Sequence, residues 1–354
     1  MKIALVGEFS SLHKYLKEGL IQSGQEVILA SSGDGYKKIG GADVELPVMR
    51  NPHSITERIA YARDISKIGK LLSGYDVVQL IYTNIFSPLN NSRAVKNIKK
   101  GNKMLSLVSA GSDYAYYRAY KTGKYKYHNY NYYTPPAYEK GIKGLFEKKT
   151  ARKVEKMSDI IIPSLYDYTL GYETDKLYRV IPFPINVNDI EYRDNAIKGK
   201  IVFFHGLNRE AKKGTPLIRA ALEKLKDKYP NDVEVVIQGH MPFGEYMELM
   251  SKVNVVVDQT YGYGYGINSC LALAQGKIVV NPCKQEQIDA MGASFNPFVS
   301  VLPDVEDIYS KLCGIVENKE SIQDMSIKGR HFVEEYHDSA KVAMQYLEAW
   351  KSVR

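Results

Sequence analysis

The sequence predicts an α/β protein made of two Rossmann-like, doubly wound domains that face a central crevice. Three observations predict this class. Strand-like runs alternate with helix-like segments, the strand-like runs are apolar throughout, and the 354 residues exceed the ~250–300 at which single cores stop growing. Continuous apolar runs are typical of parallel strands buried on both faces. We therefore expect two parallel sheets, each covered by helices.

The amino-terminal half supplies the first set of alternating elements. The predicted strands are 2–6, 26–30, 76–81 and 103–108, and the predicted helices are 12–23, 55–72 and 90–99. A stretch from Gly111 to about Ala151, rich in Tyr, Lys and Asn, interrupts the pattern. Regular structure is expected again at 159–163 and 178–182.

A linker and a second set of elements follow. Pro182 and Pro184 stop regular structure, and the polar segment to residue 199 reads as a linker. The predicted elements beyond it are strands at 201–205, 233–238, 253–258 and 277–281 and helices at 215–228, 244–251 and 339–354. We expect an amino-terminal domain at 1–184 and a carboxyl-terminal domain at 185–338. The final helix, 339–354, is expected to pack back on the first domain.

Composition narrows the partners and the compartment. The net charge of +8 favours anionic partners such as phosphorylated small molecules or acidic lipid. Nucleic acid is not expected, because no recognised binding motif accompanies the charge. Cys270, Cys283 and Cys313 have neither metal-ligand spacing nor disulfide density, which indicates a reducing cytoplasm. No window approaches eighteen uninterrupted apolar residues.

The most informative segment is Tyr261-Gly-Tyr-Gly-Tyr-Gly266, which lies between a predicted strand and the helix that starts at Ile267 and Asn268. Glycines let the backbone approach a ligand closely, and a helix start offers unpaired N–H groups to an anion. This turn predicts a phosphate-binding position.

A basic loop, Gly206-Leu-Asn-Arg-Glu-Ala-Lys-Lys-Gly214, follows the predicted strand at 201–205. Arg209 can hold a phosphate through two parallel N–H groups, and Lys213 adds a compact positive charge. A solvated basic loop is the alternative. Together with the glycine-rich turn, the loop favours a diphosphate site. His205 and His240 end strands on the same side and are candidates for its wall.

With these motifs the chain resembles retaining GT-B glycosyltransferases, particularly glycosyltransferase family 4. Gly206, Arg209 and Lys213-Gly214 stand where the family has Gly-Arg and Lys-Gly, although Leu207 occupies the usual arginine position. Gly264-Tyr265-Gly266 matches the family's Gly-Phe-Gly. The sequence departs at the family's two glutamates, eight residues apart, which fall on Tyr263 and Leu271.

The amino-terminal half adds acceptor-side resemblances. Gly7-Glu-Phe-Ser-Ser-Leu-His13 resembles the family's acceptor-side loop, and Gly111-Ser-Asp113 resembles its His-Gly-Ser-Asp, with Ala110 in place of the histidine. The resemblance implies acceptor contacts at Gly7, Glu8 and Ser112. For His13, a packed helix-face histidine is the alternative. For Asp113, the alternatives are a turn carboxylate that satisfies backbone N–H groups and a group that assists deprotonation of the acceptor.

The resemblance implies a GT-B arrangement in which domain 1–184 binds the acceptor and domain 185–338 binds the nucleotide-sugar. It also assigns roles at the donor. Arg209, Lys213, Asp113 and His13 are the candidate catalytic residues. The candidate donor contacts are Gly206, His240, Tyr263, Gly264, Tyr265, Gly266, Ile267 and Asn268. Cations and amides here would stabilise negative charge on the departing β-phosphate. The chain contains no Asp-x-Asp triplet, so we expect neither a metal nor a cofactor besides the nucleotide diphosphate-sugar substrate.

The segment from Tyr114 to Lys156 interleaves tyrosines with lysines and arginines. Such side chains suit an anionic membrane interface, stacking against sugar rings, or a solvated loop and helix face. Contact with the inner membrane face would suit a lipid-linked acceptor.

The expected activity is sugar transfer from a nucleotide diphosphate-sugar to a glycan or lipid-linked acceptor. By resemblance, the anomeric configuration is retained and the setting is surface polysaccharide synthesis. A nucleotide-sugar epimerase of this fold and a non-catalytic nucleotide-sugar-binding subunit are the alternatives. A nicotinamide dehydrogenase is disfavoured, because Gly7-Glu-Phe-Ser lacks the G-x-G-x-x-G turn.

Overall fold

The computed structural model describes residues 1–35, 38–86, 88–132, 141–239, 241 and 243–353. The chain divides into two compact units. The first contains Met1–Lys124, Pro136–Asn186 and Ser339–Arg354, and the second contains Tyr125–Pro135 and Val187–Asp338. The tyrosine-rich segment that begins at Tyr125 therefore belongs to the second unit, which the sequence did not predict.

The first unit is built on a six-stranded parallel sheet. Its strands are β1 (Lys2–Val6), β2 (Glu26–Ser31), β3 (Val44–Glu45), β4 (Val77–Leu80), β5 (Met104–Ser109) and β6 (Ile160–Pro163). The order β3-β2-β1-β4-β5-β6 is that of a Rossmann sheet. All strands are parallel, and the order in which the chain adds them reverses between β1 and β4. The strand predicted at 178–182 is not formed. Only an isolated bridge joins Leu177 to Ile161, because the prolines at 182 and 184 end regular pairing.

Helices cover both faces of this sheet. They are α1 (Leu12–Gln22), α2 (Ile55–Leu71), α3 (Pro88–Lys100), α4 (Tyr114–Lys121), α5 (Gly141–Met157) and, at the end of the chain, α13 (Ser339–Ser352). The carboxyl-terminal helix packs along α1. Its Trp350 is fully buried and donates a hydrogen bond to Ser106 Oγ (3.1 Å) on β5.

The second unit is built on a five-stranded parallel sheet. Its strands are β7 (Ile201–Gly206), β8 (Val233–Gln238), β9 (Val255–Val257), β10 (Ile278–Asn281) and β11 (Val299–Ser300). Its helices are α6 (Glu210–Lys213), α7 (Thr215–Lys228), α8 (Phe243–Lys252), α9 (Ile267–Ala274), α10 (Gln285–Ala290), α11 (Val305–Glu317) and α12 (Ile322–Tyr336). The order β11-β10-β9-β7-β8 places the reversal between β7 and β9.

The sheets confirm the predicted α/β class with two Rossmann-like domains. Each apolar run that forms a central strand is buried, including Ile3–Val6 and Val255–Val257. No helix in the described ranges is long and apolar enough to cross a bilayer.

Gly19 allows α1 and α13 to pack closely. A Cβ atom at this position would lie 2.0 Å from the carbonyl oxygen of Ser339, so a side chain must push two backbones apart. We expect Gly19→Ala to lower the free energy of unfolding by about 1–3 kcal/mol, measured by urea denaturation with circular dichroism. Gly314→Ala is the control: it lies within α11 with nothing within 4 Å, so it should be neutral or stabilise by up to ~1 kcal/mol. Equal effects of the two changes would contradict this account.

Candidate functional site

The strand order of the second unit singles out one place on its sheet. In open parallel sheets, ligands bind beyond the carboxyl ends of the strands, where the strand order reverses. Here that place lies beyond β7 and β9. The basic loop follows β7 and the tyrosine-glycine turn follows β9, and Thr260 N donates to Lys213 O (3.0 Å) to join them. The structure therefore brings both sequence motifs to one edge of the sheet.

A buried ion pair lies between these loops. Lys213 Nζ is 2.8 Å from Asp258 Oδ1, and the two side chains are only 10% and 5% exposed. Ser269 Oγ donates to the other carboxylate oxygen of Asp258 (2.9 Å), and Asn281 Nδ2 donates to Ser269 Oγ (3.3 Å). Burial alone would raise the pKa of Asp258, but the charge of Lys213 and these hydrogen bonds outweigh it and hold the pKa below its ordinary value. The carboxylate is therefore ionised and fixes the ammonium.

Arg209 is an exposed cation of the basic loop. It has φ +53° at the position before α6, in the left-handed region that non-glycine residues seldom adopt. The pKa of the neighbouring Lys212 is lowered by burial and by the charge of Arg209. The loop closes on Gly214, whose φ is +76° and where a Cβ would meet Thr260 Cγ2 at 2.5 Å. Gly214 is thus required both by its backbone angle and by its neighbour.

The start of α9 lies next to the ion pair. Gly266 precedes the helix and offers no side-chain cap, and the first turn carries no acidic residue. The backbone amides of Ile267 and Asn268 belong to the helix end that attracts anions. Asn268 is exposed, so this end is open to water. Cations and helix-start amides of one unit converge here.

The tyrosine-glycine turn is covered by the segment 125–132 of the same unit. Tyr132 stacks on Tyr261 with ring centroids 4.2 Å apart, and Gly262 N donates to Tyr127 O (2.9 Å). Tyr263 packs edge-on against Tyr125 at 5.2 Å. This aromatic cluster accounts for the tyrosine-rich stretch at 125–132, since its rings pack against the turn. Gly264 is buried within the turn.

Several predicted site residues have side chains committed to the core. Tyr265 Oη is hydrogen-bonded to His337 Nε2 (2.8 Å), and only the Tyr265 backbone faces the turn. His205 uses both ring nitrogens, with Val257 O (2.7 Å) and Thr215 Oγ1 (2.8 Å), and burial lowers its pKa. Gly206 ends β7 as its last residue. His240 lies outside the described residues.

In the first unit, Glu8 and His13 follow β1, beside the reversal in strand order. Glu8 accepts hydrogen bonds from the amides of Lys14 (2.8 Å) and His13 (3.3 Å) at the start of α1. Burial nevertheless raises its pKa to about 7. The ring of His13 is fully buried between Gly7 O (2.8 Å) and Gln79 Nε2 (3.3 Å), and burial lowers its pKa to about 4. In the structure, the His13 side chain is therefore packed in the interior. Its catalytic role stays a prediction.

Asp113 caps α4. Its Oδ1 accepts from Tyr116 N (2.8 Å) and its Oδ2 from Tyr172 Oη (3.1 Å). The side chain is 1% exposed, and burial raises its pKa to about 7. Ser112 is half-buried beside it, and its carbonyl oxygen accepts from Tyr82 Oη (3.4 Å). The structure therefore shows Asp113 as a carboxylate that accepts a hydrogen bond from a backbone N–H group. A role in deprotonating the acceptor stays a prediction.

The sequence pattern alone does not identify four further residues of this site: Asp258, Ser269, Asn281 and Thr215. The signal was present at Asp258, a carboxylate at the carboxyl end of a buried strand adjacent to β7. Its pairing with Lys213 depends on which strands are neighbours, and periodicity does not give that order. No cluster of three His, Cys, Asp or Glu residues able to hold a metal occurs in the part of the chain that is described.

Two Rossmann-like units in one chain define a GT-B fold, and solved structures of that fold match nearly the whole chain. HepE of Anabaena, in complex with UDP and glucose, has a TM-score of 0.63 at 13% identity, covering 99% of this chain and 100% of that chain. Sucrose-phosphate synthase of Thermosynechococcus elongatus has 0.63 at 13%, covering 99% and 98%. UDP-GlcNAc 2-epimerase of Neisseria meningitidis, bound to UDP-GlcNAc, has 0.55 at 14%, covering 99% of each.

The comparisons thus place transferases and an epimerase on the same fold. No protein-family model matches the chain, and no curated protein sequence matches it.

Proposed function

We propose that this protein is a glycosyltransferase that moves a sugar from a nucleotide diphosphate-sugar to a glycan or lipid-linked acceptor. The second unit holds the donor and the first unit holds the acceptor. The observation that carries the proposal is the convergence of Arg209, Lys213 and the α9 helix start at the reversal point of the second sheet. Surface polysaccharide synthesis is the setting that the resemblance implies.

The donor diphosphate lies, in this proposal, between the basic loop and α9. Lys213 uses one N–H for Asp258 and has two left for phosphate oxygens, while Arg209 contributes a planar pair of donors. As the glycosidic bond to the β-phosphate breaks, negative charge grows on the leaving oxygen. Cations and amides that are already in position stabilise it without reorganisation. This chemistry needs no metal from the chain, and the resemblance adds retention of configuration.

The ion pair has a specific role in this mechanism. Asp258 does not touch the donor; it orients Lys213 and keeps its ammonium at the sheet edge. An ordinary exposed lysine would lose side-chain entropy when it bound phosphate, about 1.5–2 kcal/mol. A lysine held by a buried carboxylate is already ordered. Asp258 is therefore a positioning residue for the donor site.

The alternative functions make different predictions for the same protein. Tyr263 and Leu271, which stand in place of the family's glutamates, favour a subunit that binds a nucleotide-sugar without turnover. A GT-B epimerase is structurally similar to the chain, and it would interconvert the sugar without any acceptor. Product analysis with and without acceptor separates the three.

The test uses a panel of nucleotide-sugars. Thermal shift measures donor binding, and release of nucleoside diphosphate measures turnover. We expect acceptor-dependent release, and we expect Arg209→Ala to reduce kcat by about 10²–10³-fold, the usual cost of losing one charge-stabilising donor. Arg63→Ala is the matched control, because Arg63 is an exposed arginine on α2. Donor binding without release under every acceptor would support the subunit, and unchanged donor binding and turnover in Arg209→Ala would refute this site.

A further inference from the structure

A basic groove lies on the first unit between α3 and α5. Its volume is about 770 Å³, and Phe146 and Met157 form apolar parts of its wall. Seven cationic side chains line it: Lys99 and six others, Arg93, Lys96, Lys100, Lys149, Lys153 and Lys156. The sequence pattern predicts a basic segment only in the α5 part of this set. The cations of α3 lie about fifty residues earlier in the chain, so nothing in the sequence joins them to it.

The positive charge of the basic groove is not neutralised locally. None of the six cations forms an ion pair with another residue of the described ranges. A seventh, Lys99, does pair with Asp159 and donates to Met157 O (2.6 Å) at one end of the groove. Helix α3 carries no acidic residue; α5 carries Glu147 and Glu155, and Glu155 is directed to Arg118 (3.3 Å). A surface of this kind attracts a ligand with several negative charges.

Apolar side chains stand beside the charges. Leu145 is 64% exposed and Phe146 is 43% exposed, both in the first turns of α5. Single exposed apolar residues are ordinary, but two consecutive ones next to six cations combine the apolar and basic side chains that contact a lipid interface. Nucleic acid and anionic glycans would use the cations and leave these two side chains in water. A bilayer uses both.

None of the described tyrosines lines the basic groove. Tyr116 and Tyr117 of α4 are buried, and the ring of Tyr114 lies under Arg152, whose guanidinium also donates to Tyr114 Oη (3.1 Å). Membrane contact was expected from interleaved tyrosine and lysine. In the structure, the groups available for such contact are instead the α3 and α5 cations and the exposed Leu145–Phe146 pair.

We propose that the basic groove docks the protein on a bilayer of anionic phospholipid, with lipid phosphates among the six cations and Leu145 and Phe146 among the acyl chains. The proposal deepens the proposed function, since it places the acceptor-binding unit at the surface where a lipid-linked acceptor is found. It has its own readout. Vesicle binding needs no donor, acceptor or turnover.

The experiment is co-sedimentation of the purified full chain with vesicles of phosphatidylcholine alone and with 30% phosphatidylglycerol. We expect binding only to the anionic vesicles, and we expect it to weaken as salt rises. Lys149→Glu/Lys153→Glu should weaken it at least tenfold. Lys311→Glu/Lys328→Glu makes the same change in net charge on exposed lysines of α11 and α12, and it should bind like the wild type.

Two further variants keep the outcome decisive. Lys96→Gln/Lys100→Gln tests the groove from α3 if the α5 variant does not fold, which circular dichroism establishes. Phe146→Gln tests the apolar contribution and should weaken vesicle binding without changing retention on heparin. Equal vesicle binding by wild type and both groove variants would overturn the proposal, as would binding to heparin or single-stranded DNA with none to vesicles. Donor binding by thermal shift, run on the same variants, keeps this result separate from the donor site.

Discussion

Replacing Asp258 with alanine should lower the free energy of unfolding by about 3–5 kcal/mol, one of the largest effects that a single substitution produces. The reason is electrostatic. Lys213 would keep its ammonium in a site where it is 10% exposed, with its only ion-pair partner among the described residues removed. Urea denaturation followed by circular dichroism measures the loss. Removing one member of a buried pair costs far more than the net value of the pair, because the other member is left unpaired.

A double-mutant cycle separates the ion pair from simple loss of packing. Lys213→Met/Asp258→Leu replaces both charges with apolar groups of similar volume, and we expect it to recover most of the stability that either single change loses. The exposed pair Lys252–Glu248, at 2.9 Å on α8, is the control and should show no measurable coupling. Strictly additive effects at Lys213 and Asp258 would show that the ion pair is not what holds this loop.

The stable double variant also tests the donor site. If Lys213 contacts the diphosphate, Lys213→Met/Asp258→Leu folds but binds nucleotide-sugar weakly. If it retains full donor affinity, the ion pair is structural only. Arg209 then carries the proposed site alone.

The sheets could be predicted from the sequence because they rest on a local signal. Runs such as Ile3–Val6 and Val255–Val257 are apolar at every position. A strand that is buried on both faces of a parallel sheet has this pattern, so the sequence predicts it directly. Two of the four edge strands, β3 and β11, are two residues long and lack this pattern of buried apolar residues. At 178–182 the apolar run was real, but it packs as irregular chain, with Ile181 buried.

The candidate site was predictable only in part. Glycine turns and cations have a local signature, so the basic loop and the start of α9 were found. The pairing of Lys213 with Asp258 joins residues 45 apart along the chain and depends on β7 and β9 being adjacent. The covering of Tyr261 by Tyr132 spans more than a hundred residues and crosses a unit boundary in sequence. Neither contact has a periodic signal.

The first unit carries two buried carboxyls whose protonation must change stability. Glu8 has its pKa raised from 4.5 to about 7, and Asp113 from 3.8 to about 7, in both cases chiefly because burial disfavours the charged form. Between the unfolded and folded pKa values, the folded protein binds more protons than the unfolded chain. The free energy of unfolding therefore falls as pH rises through this window.

Each carboxyl should cost on the order of 3 kcal/mol of stability as pH rises to about 7.5, whereas His13 and His205, whose pKa values burial lowers, should add stability as pH rises towards their ordinary 6.5. The carboxyl contribution is therefore read as the difference in the free energy of unfolding between the wild type and a variant that lacks one carboxyl. The fluorescence of Trp350, the only tryptophan, reports unfolding of the first unit in urea across this range. Glu8→Gln and Asp113→Asn each keep one of the two accepting oxygens and remove the titration. Each should change the pH dependence of the free energy of unfolding, raising it at pH 7.5 relative to pH 5 by on the order of 3 kcal/mol against the wild type. Asp304→Asn, at an exposed cap of α11, should leave the pH dependence unchanged. Asp258 acts in the opposite sense, but only at pH values below its ordinary 3.8, so it does not obscure the window. If Glu8→Gln and Asp113→Asn both keep the wild-type pH dependence, then both carboxyls are ionised in the folded protein, and their capping hydrogen bonds outweigh burial.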